Sequence, residues 1–213
     1  LMKANNYKYL ITIIFIFFAA QMVAEDRIII NFESPPSLNQ EVKLIQNIKN
    51  YNSVQSIENY LTQQNWIENF LIKSSFFGTF HQIFIQSKKP KYVWKDKFYI
   101  DTKVSTFGYD GGYPDLIRLD MPFEYLTFWI NAENQYITLF NDLSLTIRSV
   151  SFQPAVGWYL ITSDALRVNL GDDLSNDTYQ KLSLTLKYMF ENNLTPSIID
   201  LRHKAGAALN YGK

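Results

Sequence analysis

Four aspartates lie in a stretch rich in turn-forming residues, and carboxylates that approach one another can act as a general acid and base. They are Asp101, Asp110, Asp115 and Asp120, and their spacing is irregular. Aspartate is also common in loops because its side chain accepts hydrogen bonds from the backbone of a turn. We therefore interpret these residues as turn formers rather than as a catalytic pair.

The two histidines add little catalytic potential. His203 follows Asp200 closely, as in part of a Ser-His-Asp triad, but no serine stands in a G-x-S-x-G sequence. His81 lies in a β-rich run, where a half-buried or exposed strand position is the simpler interpretation. The chain has no cysteine, and two histidines cannot complete a zinc site without carboxylates. We predict that the protein is not an enzyme and has no cofactor or metal site.

Composition narrows the possible partners. The chain has 213 residues, of which 47% are hydrophobic, enough for one sizeable core or two small ones. Lys and Arg together number 20, as do Asp and Glu, so the formal net charge is zero. Without a basic field there is no reason to expect nucleic-acid binding. The loop TFGYDGGYPDL lacks the Lys-Ser/Thr ending of a phosphate-binding loop, which argues against a nucleotide site.

An uncharged segment near the N-terminus predicts a membrane span. Residues 9–24 contain no charge, whereas Lys3 and Lys8 precede them. As a helix the segment is about 24 Å long, slightly less than the roughly 30 Å hydrocarbon core. A cleaved signal peptide is the alternative, but Gln21 and Met22 interrupt the small-residue cleavage pattern. We favour an uncleaved transmembrane helix over residues 9–26, with residues 1–8 in the cytoplasm and the rest exported.

Residues 27–90 have the pattern of a small α+β domain. The run RIIINFE predicts a strand, and two helices follow, the second capped by Ser53. Two β-rich runs separated by a short break at Gly78 complete a β-α-α-β-β order. This is the arrangement of a polypeptide-transport-associated (POTRA) domain, a small sheet with two helices on one face. The expected apolar face of the first helix consists of Leu38, Val42, Ile45 and Ile48.

Residues 91–213 predict a second domain, a mostly antiparallel β domain with flanking helices, so the fold class is α+β. One helix is expected from Pro122 to Phe140, followed by three strand-like runs and an amphipathic helix with Ser175 as its cap. The expected apolar residues of these helices are Phe123, Leu126, Trp129 and Ile130 in the first, and Leu182, Leu186, Met189 and Phe190 in the second.

The chain ends with SIIDLRHKAGAALNYGK. An alternating strand over residues 197–202 leads into a turn, and a second strand of small residues is expected at Gly206, Ala207, Ala208 and Leu209. Such a strand has little side chain to bury, so backbone pairing must provide most of its stabilisation.

Four blocks in this order resemble the bacterial cell-division family FtsQ, called DivIB in Gram-positive bacteria. KPKYVW resembles an x-Pro-x-Ala-x-Trp phrase of that family, and FYIDTKVSTF resembles its lVDxxGxxF hairpin. GWYLITSDALRVNLGDD resembles a Trp-x-Leu strand with the hairpin that follows it, and the ending resembles xVDLRYxxGxAVxW. Any one block is weakly specific, but their common order over most of the chain is specific.

The resemblance implies a non-catalytic, single-pass inner-membrane protein of the divisome. In the family, the N-terminus is cytoplasmic, the larger part is periplasmic, and the protein is enriched at the division septum. The family links early division proteins to septal peptidoglycan synthesis by binding FtsB and FtsL. Its terminal β-strand accepts a strand of FtsB, an example of β-augmentation.

The resemblance also implies partner-binding residues. Matched by motif position, they are Arg202, His203, Ala205, Gly206 and Tyr211. His203 stands where the family has tyrosine, and an imidazole covers less apolar area than a phenol. Gly157 stands close to a position where the family often has arginine, so one expected charge contact has no counterpart.

Two other classes of function are compatible with parts of the pattern. One is a POTRA-containing periplasmic chaperone or a component of a secretion or assembly system. The other is a periplasmic enzyme, for which the sequence offers no convincing catalytic group.

Overall fold

The computed structural model describes residues 27–75, 80–203 and 206–212. The chain forms two compact units that divide between Lys88 and Lys89. The predicted membrane span, residues 9–26, lies outside the described residues. Among the helices that are described, none is long and apolar enough to cross a membrane. The described part is a mixed α+β structure.

The first unit has the expected order of strand, helix, helix, strand and strand. Its elements are β1 (Arg27–Ser34), α1 (Leu38–Ile48), α2 (Val54–Thr62), β2 (Ile67–Ser74) and β3 (Phe80–Ser87). Strand β3 lies between the other two, parallel to β1 and antiparallel to β2. Parallel strands need a long connection, and the segment containing α1, α2 and β2 provides it.

Local hydrogen bonds explain where the two helices begin. The hydroxyl of Ser37 accepts a hydrogen bond from the backbone N–H of Gln40, whose side chain accepts one in return from the Ser37 N–H. Ser53 caps α2 as predicted, since its hydroxyl accepts from the N–H of Ser56. Each cap satisfies a backbone donor that has no partner within the helix.

The buried face of α1 differs from the prediction. Leu44 and Ile48 are buried, whereas Leu38 is 73% exposed and Val42 is 43% exposed. A helix turns about 100° per residue, so Val42 points to the side opposite Leu44. The apolar spacing alone did not distinguish between these two faces.

In the second unit, nine strands of the described residues form one sheet. They are β4 (Pro90–Trp94), β5 (Phe98–Asp101), β6 (Thr106–Gly108), β7 (Ile117–Asp120), β8 (Ile147–Gln153), β9 (Gly157–Thr162), β10 (Arg167–Gly171), β11 (Ile198–Asp200) and β12 (Ala208–Asn210). Their order is β12-β11-β10-β9-β8-β7-β4-β5-β6. Neighbours are antiparallel except for β10 with β11, β7 with β8 and β4 with β7.

Two helices share one apolar core with this sheet. A 3₁₀ turn at Phe123–Tyr125 leads into α3 (Leu126–Asp142), and α4 (Asn176–Glu191) connects β10 to β11. Phe123 and Phe190 were predicted to be on the apolar faces but are 49% and 47% exposed. The core that includes both helices and the sheet contains Trp129, Tyr136, Phe140, Val150, Leu160, Val168, Leu182, Leu186 and Ile199, each 0% exposed.

A close backbone contact joins the start of β9 to the end of β10. Gly157 has φ +80°, and a Cβ at this position would overlap the carbonyl of Gly171. Glycine is therefore required here both by the backbone conformation and by the lack of space. The regular register between β9 and β10 shifts at the same place, between Asn169 and Gly171.

Gly157→Ala should therefore be much more destabilising than Gly111→Ala. The two glycines have almost the same φ, +80° and +78°, but nothing lies within 4 Å of a Cβ at Gly111. We expect both changes to lower the free energy of unfolding by about 1–2 kcal/mol through backbone strain, and Gly157→Ala by about 1–3 kcal/mol more through overlap. Urea unfolding of the two variants measures the difference, and equal losses would contradict the close contact.

Candidate interaction site at the C-terminal edge

The last two strands form a hairpin at one margin of the large sheet. Ile199 of β11 pairs with Leu209 of β12, and Asp200 pairs with Ala208. Strand β11 lies parallel to β10 on its other side. Among the described residues, β12 has β11 on one side and no strand on the other. The terminal strand is therefore an open edge.

Backbone hydrogen bonds hold β12 in place. Ala208 and Asn210 are exposed, and only Leu209 is half-buried against the core. At the end of the strand, the backbone N–H of Ser197 donates to the carbonyl of Asn210 at 2.9 Å, and its hydroxyl donates to the carbonyl of Gly212 at 2.6 Å. This geometry agrees with the expectation that backbone pairing provides most of the stabilisation of the strand. The strand begins two residues later than predicted.

Arg202 folds back onto Asp200. Its Nε lies 2.9 Å from Oδ1 and its Nη2 lies 2.6 Å from Oδ2, which is a two-point ion pair. The backbone N–H of Arg202 also donates to Oδ1 at 3.0 Å. The hydrogen bond and charge of Arg202 lower the pKa of Asp200 to about 2. The arginine side chain is 46% exposed, so it remains accessible from solvent.

A polar network extends from this ion pair across the outer face of the sheet. Asn169 of β10 donates to Asp200 at 3.5 Å and accepts from Arg167 at 2.8 Å. The guanidinium of Arg167 lies 4.1 Å from the centre of the Tyr159 ring. Sequence reasoning did not include these residues. The available signal was Asn169 itself, a polar residue between Val168 and Leu170 in the strand RVNLG; in the structure it is 7% exposed.

The other residues of the predicted site lie around the same hairpin. His203 is exposed just after Arg202, and Gly206 is exposed with φ +155°, before β12 begins. Tyr211 is 56% exposed beyond the other end of β12. Ala205 lies outside the described residues. The structure thus places His203 and Gly206 before the edge strand and Tyr211 after it, and not in one pocket.

Two of the four aspartates first considered for catalysis, Asp101 and Asp110, have structural partners. Oδ1 of Asp101 accepts from the backbone N–H of Lys103 and of Ser105, within the β5–β6 turn. Asp110 accepts from the hydroxyl of Tyr99 at 2.8 Å, and burial together with this bond raises the pKa of Tyr99 above its ordinary value.

His81 was expected to be half-buried or exposed, but it is 7% exposed. Its Nδ1 lies 2.9 Å from Oγ of Ser74, its cross-strand neighbour. Within residues 27–75, 80–203 and 206–212, no three His, Asp or Glu side chains are grouped so as to hold a metal ion.

Comparison with known proteins gives one informative similarity. A cell division protein FtsQ from Aliivibrio fischeri is 20% identical to this chain over 173 residues. The aligned region covers 74% of this chain and 62% of the relative, so the chain spans less than two thirds of the relative's length. The resemblance to FtsQ is confirmed. No protein-family model matches the chain.

The Asp200–Arg202 pair has a defined pH dependence. Because the pKa of Asp200 in the folded protein is about 2, below its ordinary 3.8, the ionised carboxylate stabilises the fold above pH 3.8. This contribution should be lost as the pH falls from 3.8 to about 2. A ¹³C NMR titration of the carboxyl group measures the midpoint, and Arg202→Gln should move it upward. A midpoint near 3.8 in the unchanged protein would contradict the ion pair.

Proposed function

We propose that this chain is a non-catalytic divisome scaffold that binds FtsB and FtsL through the open edge of β12. In this role it links early division proteins to septal peptidoglycan synthesis. The observation that carries the proposal is that the DLR-containing ending, the strongest part of the resemblance to FtsQ, leads into β12, which is the last strand in the sheet formed by the described residues. The similarity to a cell division protein supports the same role.

The chemistry of the edge favours a strand as the binding partner. An edge strand presents backbone N–H and C=O groups that another chain can pair with. The exposed side chain at Ala208 is small, so the backbone of a partner can approach closely. Natural sheets often protect their edges with charge or proline, but β12 carries neither over Ala208–Asn210.

The remaining parts of the chain have roles consistent with this proposal. The first unit, with its central β3 parallel to β1, is proposed to be a POTRA domain over residues 27–90 that recruits another division protein. Residues 91–213 are proposed to be the FtsQ-type β domain in the periplasm. Residues 9–26 are proposed to anchor the protein in the inner membrane at the septum, with residues 1–8 in the cytoplasm.

Arg202 is the proposed electrostatic contact, with His203, Ala205, Gly206 and Tyr211 completing the interface. In the free chain its guanidinium already pairs with Asp200. A carboxylate of FtsB must therefore share Arg202 with Asp200 or replace Asp200. Charge-assisted, two-point hydrogen bonds of arginine are among the stronger polar contacts at interfaces.

Gly206→Lys should weaken binding of the protein to a fragment of the periplasmic part of FtsB. The change places a long charged side chain beside the edge strand, and we expect the Kd to rise about tenfold or more. Biolayer interferometry with the purified proteins measures the change.

Gly111→Lys is the matched control for this experiment. Gly111 also has a positive φ and open space around its Cβ position, but it lies between β6 and β7. Gly111→Lys adds the same charge at another open, positive-φ position, and we expect it to leave the Kd unchanged. Undiminished binding by Gly206→Lys would exclude the edge-strand interface, and failure of a labelled full-length chain to reach midcell would exclude the divisome role.

Asp200→Asn should strengthen the same interaction. Asparagine keeps an oxygen that can accept from the N–H of Arg202, but it removes the charge that competes for the guanidinium. We expect a several-fold lower Kd at low salt and a smaller effect at high salt, because exposed charges are screened. Arg202→Gln should raise the Kd. An unchanged Kd for both variants would show that Arg202 does not bind a partner carboxylate.

A further inference from the structure

Lys181 of α4 connects this helix to the hairpin that carries the proposed docking edge. Its ammonium donates to the carbonyl of Leu201 at 2.7 Å and also donates to the carbonyl of His203. Among the described residues, these two carbonyls are its hydrogen-bond partners, and no carboxylate lies within ion-pair distance of it. The lysine therefore binds the backbone of the hairpin and does not form a surface salt bridge among the described residues.

The two carbonyls lie on either side of Arg202. In the peptide unit that joins Leu201 to Arg202, the carbonyl accepts from Lys181 and the N–H donates to Asp200. Two groups of opposite charge thus hold one peptide unit from its two ends. Because a planar peptide unit moves as a whole, its orientation is restricted on both sides.

The neighbouring contacts leave the Arg202 and His203 side chains exposed while their backbone is held. Leu201 is 4% exposed, and its N–H donates to the carbonyl of Asn169 at 2.9 Å. Lys181 is itself half-buried. Residues 201–203 are therefore anchored to both the sheet and the helix, and they present the Arg202 and His203 side chains to solvent.

We propose that Lys181 is a positioning residue for the docking edge. It holds the backbone on both sides of Arg202 in the conformation that allows a partner strand to pair with β12. The backbone therefore does not have to be ordered when the partner binds. Holding a binding segment in its bound conformation increases affinity by reducing the ordering cost. This inference rests on the proposed function of the edge.

Lys181→Met tests the role by removing the charge while keeping the apolar length of the side chain. Without the ammonium, the backbone beside Arg202 has to be ordered when the partner binds, so we expect the Kd for the FtsB fragment to rise about tenfold. The amides of residues 202 and 208–210 should exchange with deuterium faster, while the midpoint of thermal unfolding changes little. Lys181→Arg retains donors and should restore most of both properties.

Lys187→Met is the matched control on the same helix. Its side chain is 71% exposed, and its ammonium lies 3.9 Å from Oε1 of Glu191. It should alter neither exchange nor binding. If Lys181→Met does not fold, Lys181→Gln, which keeps one donor group, should show intermediate exchange and binding.

The possible results separate the two proposals. Unchanged exchange and unchanged Kd in Lys181→Met would overturn the positioning role. A raised Kd with unchanged exchange would also overturn it, because Lys181 would then act by touching the partner directly. Faster exchange with rescue by Lys181→Arg supports the positioning role even if the unchanged protein fails to bind the FtsB fragment, and that failure would exclude FtsB as the partner.

Discussion

The inward face of the large sheet has to be covered by α3 and α4, and the location of the candidate site follows from this requirement. Trp129 of α3 and Leu186 of α4 are completely buried, as is Ile199 of β11. Leu209 of β12, one strand further out, is only half-buried. The apolar cover thus diminishes at the last strand, where backbone pairing becomes the main source of stabilisation. A strand of this kind can gain a neighbour without disturbing the core.

Charged groups hold the backbone in place at the edge of the sheet, where apolar side chains no longer cover it. Asp200 binds both the backbone and the side chain of Arg202, and Lys181 binds two carbonyls from the helix side. These contacts orient residues 201–203 without covering the side chain of Arg202. Because apolar side chains cover the hairpin only in part, Arg202 remains accessible to a partner.

Much of the element order was predictable from the chain itself. The caps at Ser53 and Ser175 and the buried positions Leu182 and Leu186 agree with the expectations. The errors at three helical positions share one cause. Leu38, Val42 and Phe190 have the spacing of an apolar stripe but are exposed, whereas Phe123 lies in the 3₁₀ turn before α3. Periodicity shows that a helix has an apolar side, whereas the rotation of the helix depends on which surfaces it meets in the folded protein.

The candidate site was predictable only in part. The motif identified Arg202 and Gly206, but it could not reveal that Arg202 already pairs with Asp200 or that Asn169 supports the pair. Lys181 could not be found from the motif, because it lies about twenty residues earlier and resembles any other lysine on an amphipathic helix.

The amino-acid sequence by itself determined much of the order of helices and strands, the short side chains of the terminal strand and the likeness to FtsQ, because these depend on local residue pattern. The tertiary structure alone decided that β12 is the margin of the sheet and that Lys181 and Asp200 hold the same peptide unit. Such features depend on contacts between residues far apart in the chain, and local pattern carries no information about them.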